Sequence, residues 1–275
     1  MVKTAPRKLP PMSALEFAIE QAFRRFFFGL RLMLTWTVLC LPLLGAVYYL
    51  VFMDGMPKIE ALKPVDFAAL SVLGLVVLLA AVSIMVNWNR RILEDEHPCG
   101  LGWIRVDGAV WNFFLGLVIL LMVIGLMSGA SALMALRGPV FFESNLAGAA
   151  KPAATGVAGI IGISALFVGL RLMTRLPAIA LGNRDYGFGS AWRATRRNTI
   201  RYLGFLFWLV FTLAIAGGIG AGAVMARTVL PNPWVVGGGI AAATVIGLWI
   251  VFVLMSVPAC HYRFFGEQKD FLENT

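Results

Sequence analysis

Six long apolar stretches, separated by short polar segments, dominate the chain. They run approximately over residues 30–53, 67–88, 109–136, 155–174, 203–226 and 235–259. Each has the roughly 20 residues that a helix needs to cross the hydrocarbon of a bilayer. The stretches are continuously apolar, whereas the strands of a membrane barrel alternate apolar with polar positions. Because lipid requires every backbone group to be bonded internally, the pattern predicts six membrane-spanning helices.

Polar and turn-forming residues separate these stretches. The breaks that we predict to end helices are Asp54-Gly55, Arg137-Gly138-Pro139, Lys151-Pro152 and Pro231-Asn232-Pro233. The predicted organisation is an N-terminal segment over 1–29, a six-span membrane domain over 30–259 and a C-terminal tail over 260–275. We therefore expect an all-α transmembrane helical bundle with short amphipathic helices on the cytoplasmic side.

Composition supports a membrane protein. Charged residues make up 13% of the chain and apolar residues 60%, whereas a soluble domain has about 25% and 45–50%. The net charge of +9 could suggest nucleic acid, but Lys and Arg in a membrane protein mostly mark the cytoplasmic side. We expect membrane lipids as partners, and no nucleic acid.

The Lys and Arg residues divide unequally between the two sides of the predicted spans. Of the 23 in the chain, one side has only five: Lys58, Lys63, Arg137, Lys151 and Arg227. The positive-inside rule places the other, richer side in the cytoplasm. An even number of spans then puts both termini there. Several aromatic residues near span borders are predicted to anchor the interface: Trp36, Trp88, Trp103, Trp111, Trp234 and Tyr262.

An amphipathic helix is predicted over 13–29, before the first span. Its apolar positions recur at helical spacing: Leu15, Ile19, Phe23 and Phe26. Ser13 and Glu16 have the spacing of a capping box, and Glu20 and Arg24 that of an ion pair. Such a helix would lie on the membrane surface. The alternative is that it simply extends the first span.

The segment between the fourth and fifth stretches is strongly basic. Ser190 is the predicted N-cap of a helix, and Trp192 is a predicted interfacial anchor. The candidate site for a phosphate or a lipid headgroup comprises four arginines: Arg193, Arg196, Arg197 and Arg201. The alternative is a basic loop that only fixes topology.

Acidic residues are concentrated in the segment between the second and third stretches: Glu94, Asp95, Glu96 and Asp107. They could pair with the basic segment just described. They could equally pair with arginines of their own segment, such as Arg90 and Arg91, or stay solvated. The sequence leaves these alternatives open.

Two histidines and two cysteines form the one metal candidate: His97, Cys99, Cys260 and His261. Zinc takes such ligands, but the spacing is not that of a zinc finger and adjacent ligands fit poorly around one ion. We therefore predict no metal and no cofactor.

No hydrolase, nucleotide-binding or zinc-protease motif is found, and no ionisable residue lies in the middle of a span. We therefore predict a non-enzymatic scaffold or envelope-homeostasis helper with a basic cytoplasmic face, acting with a protein partner or as a homo-oligomer. The alternative is a transporter or a lipid-handling protein that binds anionic headgroups at the Arg-rich segment. A membrane enzyme that acts on a phospholipid through the arginines ranks third.

Two segments carry a family resemblance. Leu176-Pro177-Ala178 followed by Ala191-Trp192-x-x-Thr195-x-x-Asn198, together with Asn87-Trp88-Asn89-Arg90-Arg91, resembles uncharacterised six-span inner-membrane proteins of alphaproteobacteria. The chain departs from that pattern at Asn89, where His is expected, and at Arg197, where Gly is expected. The family has no assigned activity, so the resemblance implies topology and bacterial origin only.

Overall fold

A computed structural model describes residues 8–52, 63–141, 147–229 and 233–267. Within these ranges the regular elements are helices, and no strand occurs. Their bounds are α1 Pro11–Arg24, α2 Phe26–Val47, α3 Pro64–Leu93, α4 Gly108–Phe141, α5 Ala147–Leu172, α6 Arg175–Ala180, α7 Phe188–Thr195, α8 Thr199–Val229 and α9 Pro233–Phe265. A π-helical turn, Tyr48–Phe52, follows α2, and 3-10 turns cover Gly100–Trp103 and Arg196–Asn198.

Among the described residues, six segments are long and apolar enough to cross a membrane. They are Phe26–Leu50, Pro64–Leu93, Gly108–Leu133, Thr155–Ala180, Phe188–Ile219 and Gly237–Phe265. The prediction of an all-α bundle with six spans is confirmed, and the chain is a multi-pass membrane protein. The predicted C-terminal tail is helical at its start, because α9 continues to Phe265.

Two predicted helix breaks are wrong. α4 continues through Gly138 and Pro139, and α5 begins at Ala147 and passes through Pro152. A proline removes one backbone donor, which an apolar helix tolerates near its end because the remaining groups still need their internal bonds. The predicted turn at Asp54-Gly55 and residues 231 and 232 lie outside the described residues.

The helix before the first span is a separate element. α1 ends at Arg24 and α2 begins at Phe26, with a break at Arg25. The predicted capping box is wrong because α1 already begins at Pro11, which places Ser13 inside the helix. Proline is favoured at a first helical position, where no partner for its nitrogen is required. The predicted ion pair between Arg24 and Glu20 is confirmed at 2.6 Å.

α1 contacts α9 at three positions. The Cys260 thiol donates a hydrogen bond to the carbonyl of Ala14 (3.2 Å). The guanidinium of Arg263 lies 5.2 Å from the ring centroid of Phe17. Further along, the ring centroids of Phe23 and Trp249 are 5.3 Å apart. One face of α1 is thus covered by protein.

The chain divides into two compact units. The first comprises Met1–Phe17, Leu115–Leu213 and Val257–Thr275, and the second comprises Ala18–Phe114 and Ala214–Ser256. In the first unit, α4 and α5 are in close contact. A Cβ on Gly169 would lie 2.8 Å from Ile124 Cδ1, and Ser131 donates a 2.6 Å hydrogen bond to the carbonyl of Ala158. Small residues therefore let these helices approach closely.

In the second unit, α2 and α3 share an apolar core. Buried positions recur every four residues on α2 and again on α3, as one face of a helix requires: Leu32, Trp36, Cys40, Ala80 and Ile84. Trp88 of α3 stacks on Phe252 of α9, with ring centroids 5.0 Å apart, and its Nε1 donates to Ser256 Oγ at 3.1 Å.

The prediction of an interfacial role is wrong for three of the aromatic residues. Trp36, Trp88 and Tyr262 are buried within the protein. Trp111, in contrast, is exposed, as an anchor would be. The side chain of Trp234 lies outside the described residues. A Trp near a span end can face either neighbouring helices or lipid, and position along the span does not distinguish the two.

Candidate functional site

Arg171, near the end of α5, organises the start of the fifth span. Its guanidinium lies 4.7 Å from the ring centroid of Trp192, on α7. The same group donates hydrogen bonds to Thr199 Oγ1, at the start of α8, and to the carbonyl of Arg196 (3.5 Å). Arg171 is buried, so this cation joins three elements instead of facing solvent.

The loop between α6 and α7 is held by a second arginine. Arg175 Nη1 donates to the carbonyl of Asn183 at 2.8 Å and to that of Tyr186. Asn183 Nδ2 donates to the hydroxyl of Tyr262 at 2.9 Å. The loop leaves α6 at Gly182, whose φ of +74° favours glycine. These contacts fix where α7 begins.

Tyr186 is largely enclosed within this loop. Burial raises the pKa of its hydroxyl, an effect that the neighbouring Thr174 hydroxyl (3.5 Å) partly offsets. A neutral phenol is the form that a poorly solvated site favours. Tyr186 therefore contributes packing and no charge to this end of the first unit.

The predicted helix that carries the basic residues is interrupted. α7 begins at Phe188, after an extended Gly187, so the prediction of Ser190 as the N-cap is wrong. α7 ends at Thr195, and the 3-10 turn of Arg196–Asn198 follows before α8. Thr195 and Asn198 are buried at the two ends of this turn. The turn therefore exposes the residues between them.

The four arginines of the predicted site have two different environments. Arg193, Arg196 and Arg197 are exposed, and within the described residues no carboxylate forms an ion pair with them. Arg193 Nε donates to the carbonyl of Gly189, at 3.3 Å. Arg201 is partly buried and donates to the carbonyl of Leu9 at 2.8 Å.

The acidic segment of the second unit pairs with its own arginines. Both oxygens of Glu96 accept hydrogen bonds of 2.7 Å, one from Arg90 and one from Arg105. Asp95 Oδ1 lies 3.2 Å from Arg25 and 3.2 Å from Arg91. Of the alternatives that the sequence left open, the structure thus shows pairing within this segment, with Arg25, between α1 and α2, as a further partner.

Glu96 is the centre of this pairing. Partial burial raises its pKa, but the hydrogen bonds and positive charges of Arg90 and Arg105 outweigh that effect and hold the pKa below its usual range. Arg105 also contacts Asp107 at 3.3 Å. The arginines here are therefore paired with carboxylates of the protein.

The histidines and cysteines lie in different surroundings. Within the described residues, no three His, Cys, Asp or Glu side chains are grouped as metal ligands. Cys99 is exposed in the second unit, with its thiol 3.7 Å from the carbonyl of His97. His261 is fully buried in the first unit, with its ring edge-on to Tyr202 (4.9 Å) and Phe205 (4.8 Å).

Comparisons with protein-family models, curated proteins and solved structures return no match. The candidate site consists of exposed Arg193, Arg196 and Arg197 beside Trp192, whose side chain is 39% exposed. We call these four residues the basic turn site.

Sequence reasoning missed two parts of this arrangement. Arg171 was not among the predicted site residues, whereas in the structure its guanidinium contacts Trp192 and Thr199 and so holds the turn. It also missed the contacts of Leu9 with Asn198 and Arg201. Asn198 lies 189 positions from Leu9 and Arg201 lies 192 positions from it, so no local spacing could indicate these contacts.

Proposed function

We propose that this chain is a non-enzymatic integral membrane protein of a bacterial inner membrane that binds anionic phospholipid headgroups through the basic turn site. In this proposal both termini and the site are cytoplasmic. The observation that carries it is the contrast between two basic segments. Arg25, Arg90, Arg91 and Arg105 of the second unit are paired with carboxylates. Arg193, Arg196 and Arg197 are exposed, and within the described residues no carboxylate forms an ion pair with them.

The chemistry of the site suits a phospholipid. Guanidinium groups form charge-assisted, often bidentate hydrogen bonds with phosphate oxygens. The site lies at the start of the fifth span, at the depth where headgroups would be found. A partly exposed Trp192 is the side chain that favours the interface between water and hydrocarbon.

The expected strength of headgroup binding follows from the attraction between the arginines and an anionic lipid. A Lys or Arg near an anionic membrane surface contributes about 1 kcal/mol of attraction. Removing two arginines would therefore lower the preference for an anionic lipid by roughly ten- to thirtyfold. Among the functions expected from the sequence, headgroup binding is the one for which these contacts supply a site. A scaffold role would use the same face to position a partner at the membrane.

The test is lipid retention. The full chain is placed in nanodiscs of phosphatidylcholine with a minority of phosphatidylglycerol, and native mass spectrometry measures which lipid stays bound. We expect phosphatidylglycerol to be enriched on the parent protein and to be lost from an Arg196→Gln, Arg197→Gln double variant. A control that removes the same charge, Arg24→Gln with Arg184→Gln, should retain it. Equal losses in both variants, or no enrichment in the parent, would overturn the proposal.

A further inference from the structure

The residues before α1 are fastened to the start of α8 by their backbone. Leu9, which is fully buried, donates its N–H to Asn198 Oδ1 at 2.8 Å, and its carbonyl accepts from Arg201 at 2.8 Å. Pro11 packs beside Gly204, where an added Cβ would lie 3.6 Å from Pro11 Cγ. The two backbone polar groups of Leu9 are thus bonded to the 3-10 turn and to the first turn of α8. We call Lys8 to Pro11 the strap.

The strap reaches the basic turn site. Asn198 closes the 3-10 turn that exposes Arg196 and Arg197. Lys8 directly precedes Leu9 and is exposed. Because consecutive Cα atoms are about 3.8 Å apart, the hydrogen bond at Leu9 holds Lys8 beside this turn. A lysine side chain adds a flexible ammonium with three donors.

We infer that the strap completes the headgroup site by supplying Lys8 as a further phosphate-binding cation. Asn198 and Arg201 are positioning residues in this arrangement. They hold the backbone of Leu9 and thereby place Lys8, which contacts the lipid. The inference rests on the proposed function. The inference adds that the site is built from two distant segments of the chain. The affinity for the lipid then depends on the uncharged hydrogen bond between Leu9 and Asn198 as well as on the cations.

A strap that only anchors α1 makes a different prediction. In that case Lys8→Gln would leave lipid retention unchanged. Asn198→Ala removes no charge, so a loose collection of surface cations would also be insensitive to it. If the strap positions Lys8, both single changes remove the same contribution, and the double variant should lose little more than either one.

The experiment uses the same phosphatidylglycerol nanodiscs and native mass spectrometry with Lys8→Gln, Asn198→Ala and the double variant. We expect about a fivefold loss of phosphatidylglycerol retention in each single variant and no further loss in the double. Lys63→Gln, which removes an exposed charge at the other end of a span, should have no effect. Trypsin cleavage after Lys8, which a fastened Leu9 should slow, should become faster in Asn198→Ala.

The outcomes separate the two proposals. If Arg196→Gln with Arg197→Gln loses the lipid while Lys8→Gln retains it, the strap has no role and headgroup binding stands. If neither variant loses it, both proposals are wrong. Additive losses of lipid retention in the double variant would show that Lys8 acts independently of the hydrogen bond between Leu9 and Asn198, and would overturn the inference. Lys8 is exposed, so Lys8→Gln should fold normally and decides the matter even if Asn198→Ala does not fold.

Discussion

Two glycines of α2 illustrate how differently single residues of one helix are constrained. A Cβ on Gly29 would lie 2.5 Å from Phe252 Cζ and 2.9 Å from Trp88 Cζ3. These rings are stacked on each other and are buried. A Cβ on Gly45 would have no neighbour within 4 Å. The first position therefore needs glycine for close approach, and the second does not.

Gly29→Ala should destabilise the protein by about 1–3 kcal/mol, because two packed rings would have to move. Gly45→Ala should be neutral or stabilise by up to about 1 kcal/mol through its better helix propensity. Thermal unfolding of the two purified variants in the same detergent compares them directly. Equal midpoints for the two variants would contradict the assigned packing of Gly29.

At the scale of elements, a three-residue turn decides what the basic segment can do. On one continuous helix, Arg193, Arg197 and Arg201 would share a face. The 3-10 turn of Arg196–Asn198 interrupts that periodicity, because i and i+3 side chains align in such a turn. Arg201 then bonds to Leu9, while Arg196 and Arg197 remain exposed.

The connection between α3 and α4 depends on Glu96, and its stability should vary with pH. The folded-state pKa of Glu96 lies below the unfolded value of about 4.3. The contribution of this pairing is therefore present above that pH and is lost as the pH falls through the folded-state pKa. Glu96→Gln should lower the stability at neutral pH by about 1 kcal/mol.

Unfolding midpoints measured from pH 7 to pH 3 test this prediction. The midpoint of Glu96→Gln should decrease less steeply in acid than that of the parent. Glu94→Gln provides the control, since Glu94 is exposed in the same segment. An unchanged acid dependence in Glu96→Gln would indicate that the pairing contributes nothing to stability.

For the whole molecule, the orientation in the membrane is the next property to establish. Cys99 is exposed, whereas Cys40 and Cys260 are buried. Cys99 lies between α3 and α4, on the side that the positive-inside rule places in the cytoplasm. A membrane-impermeant maleimide should therefore label the protein in inside-out vesicles and leave it unlabelled in intact spheroplasts. Loss of the signal in Cys99→Ser identifies the labelled thiol.

A cysteine at the other end of the second span provides the complementary control. Lys63 is exposed just before α3, so Lys63→Cys in a Cys99→Ser background should be labelled from outside the spheroplast. Labelling of Cys99 from outside would invert the proposed topology.

The sequence by itself determined the class of this protein and the number of its spans. Runs of about 20 apolar residues can be hidden only in lipid, and lipid permits only internally bonded helices there. It also indicated the separate helix before the first span and the basic residues Arg193, Arg196 and Arg197. These properties depend on the composition and spacing of residues within one segment, and they do not depend on which other segments pack against it.

Only the tertiary structure decided which cations are available. Arg171 is buried against Trp192, Arg201 holds Leu9, and Glu96 forms ion pairs with Arg90 and Arg105. The predicted breaks at Pro139 and Pro152 and the caps at Ser13 and Ser190 were wrong, because a helix end depends on where its backbone groups find partners. Burial and pairing arise between distant segments, so no local pattern of residues encodes them.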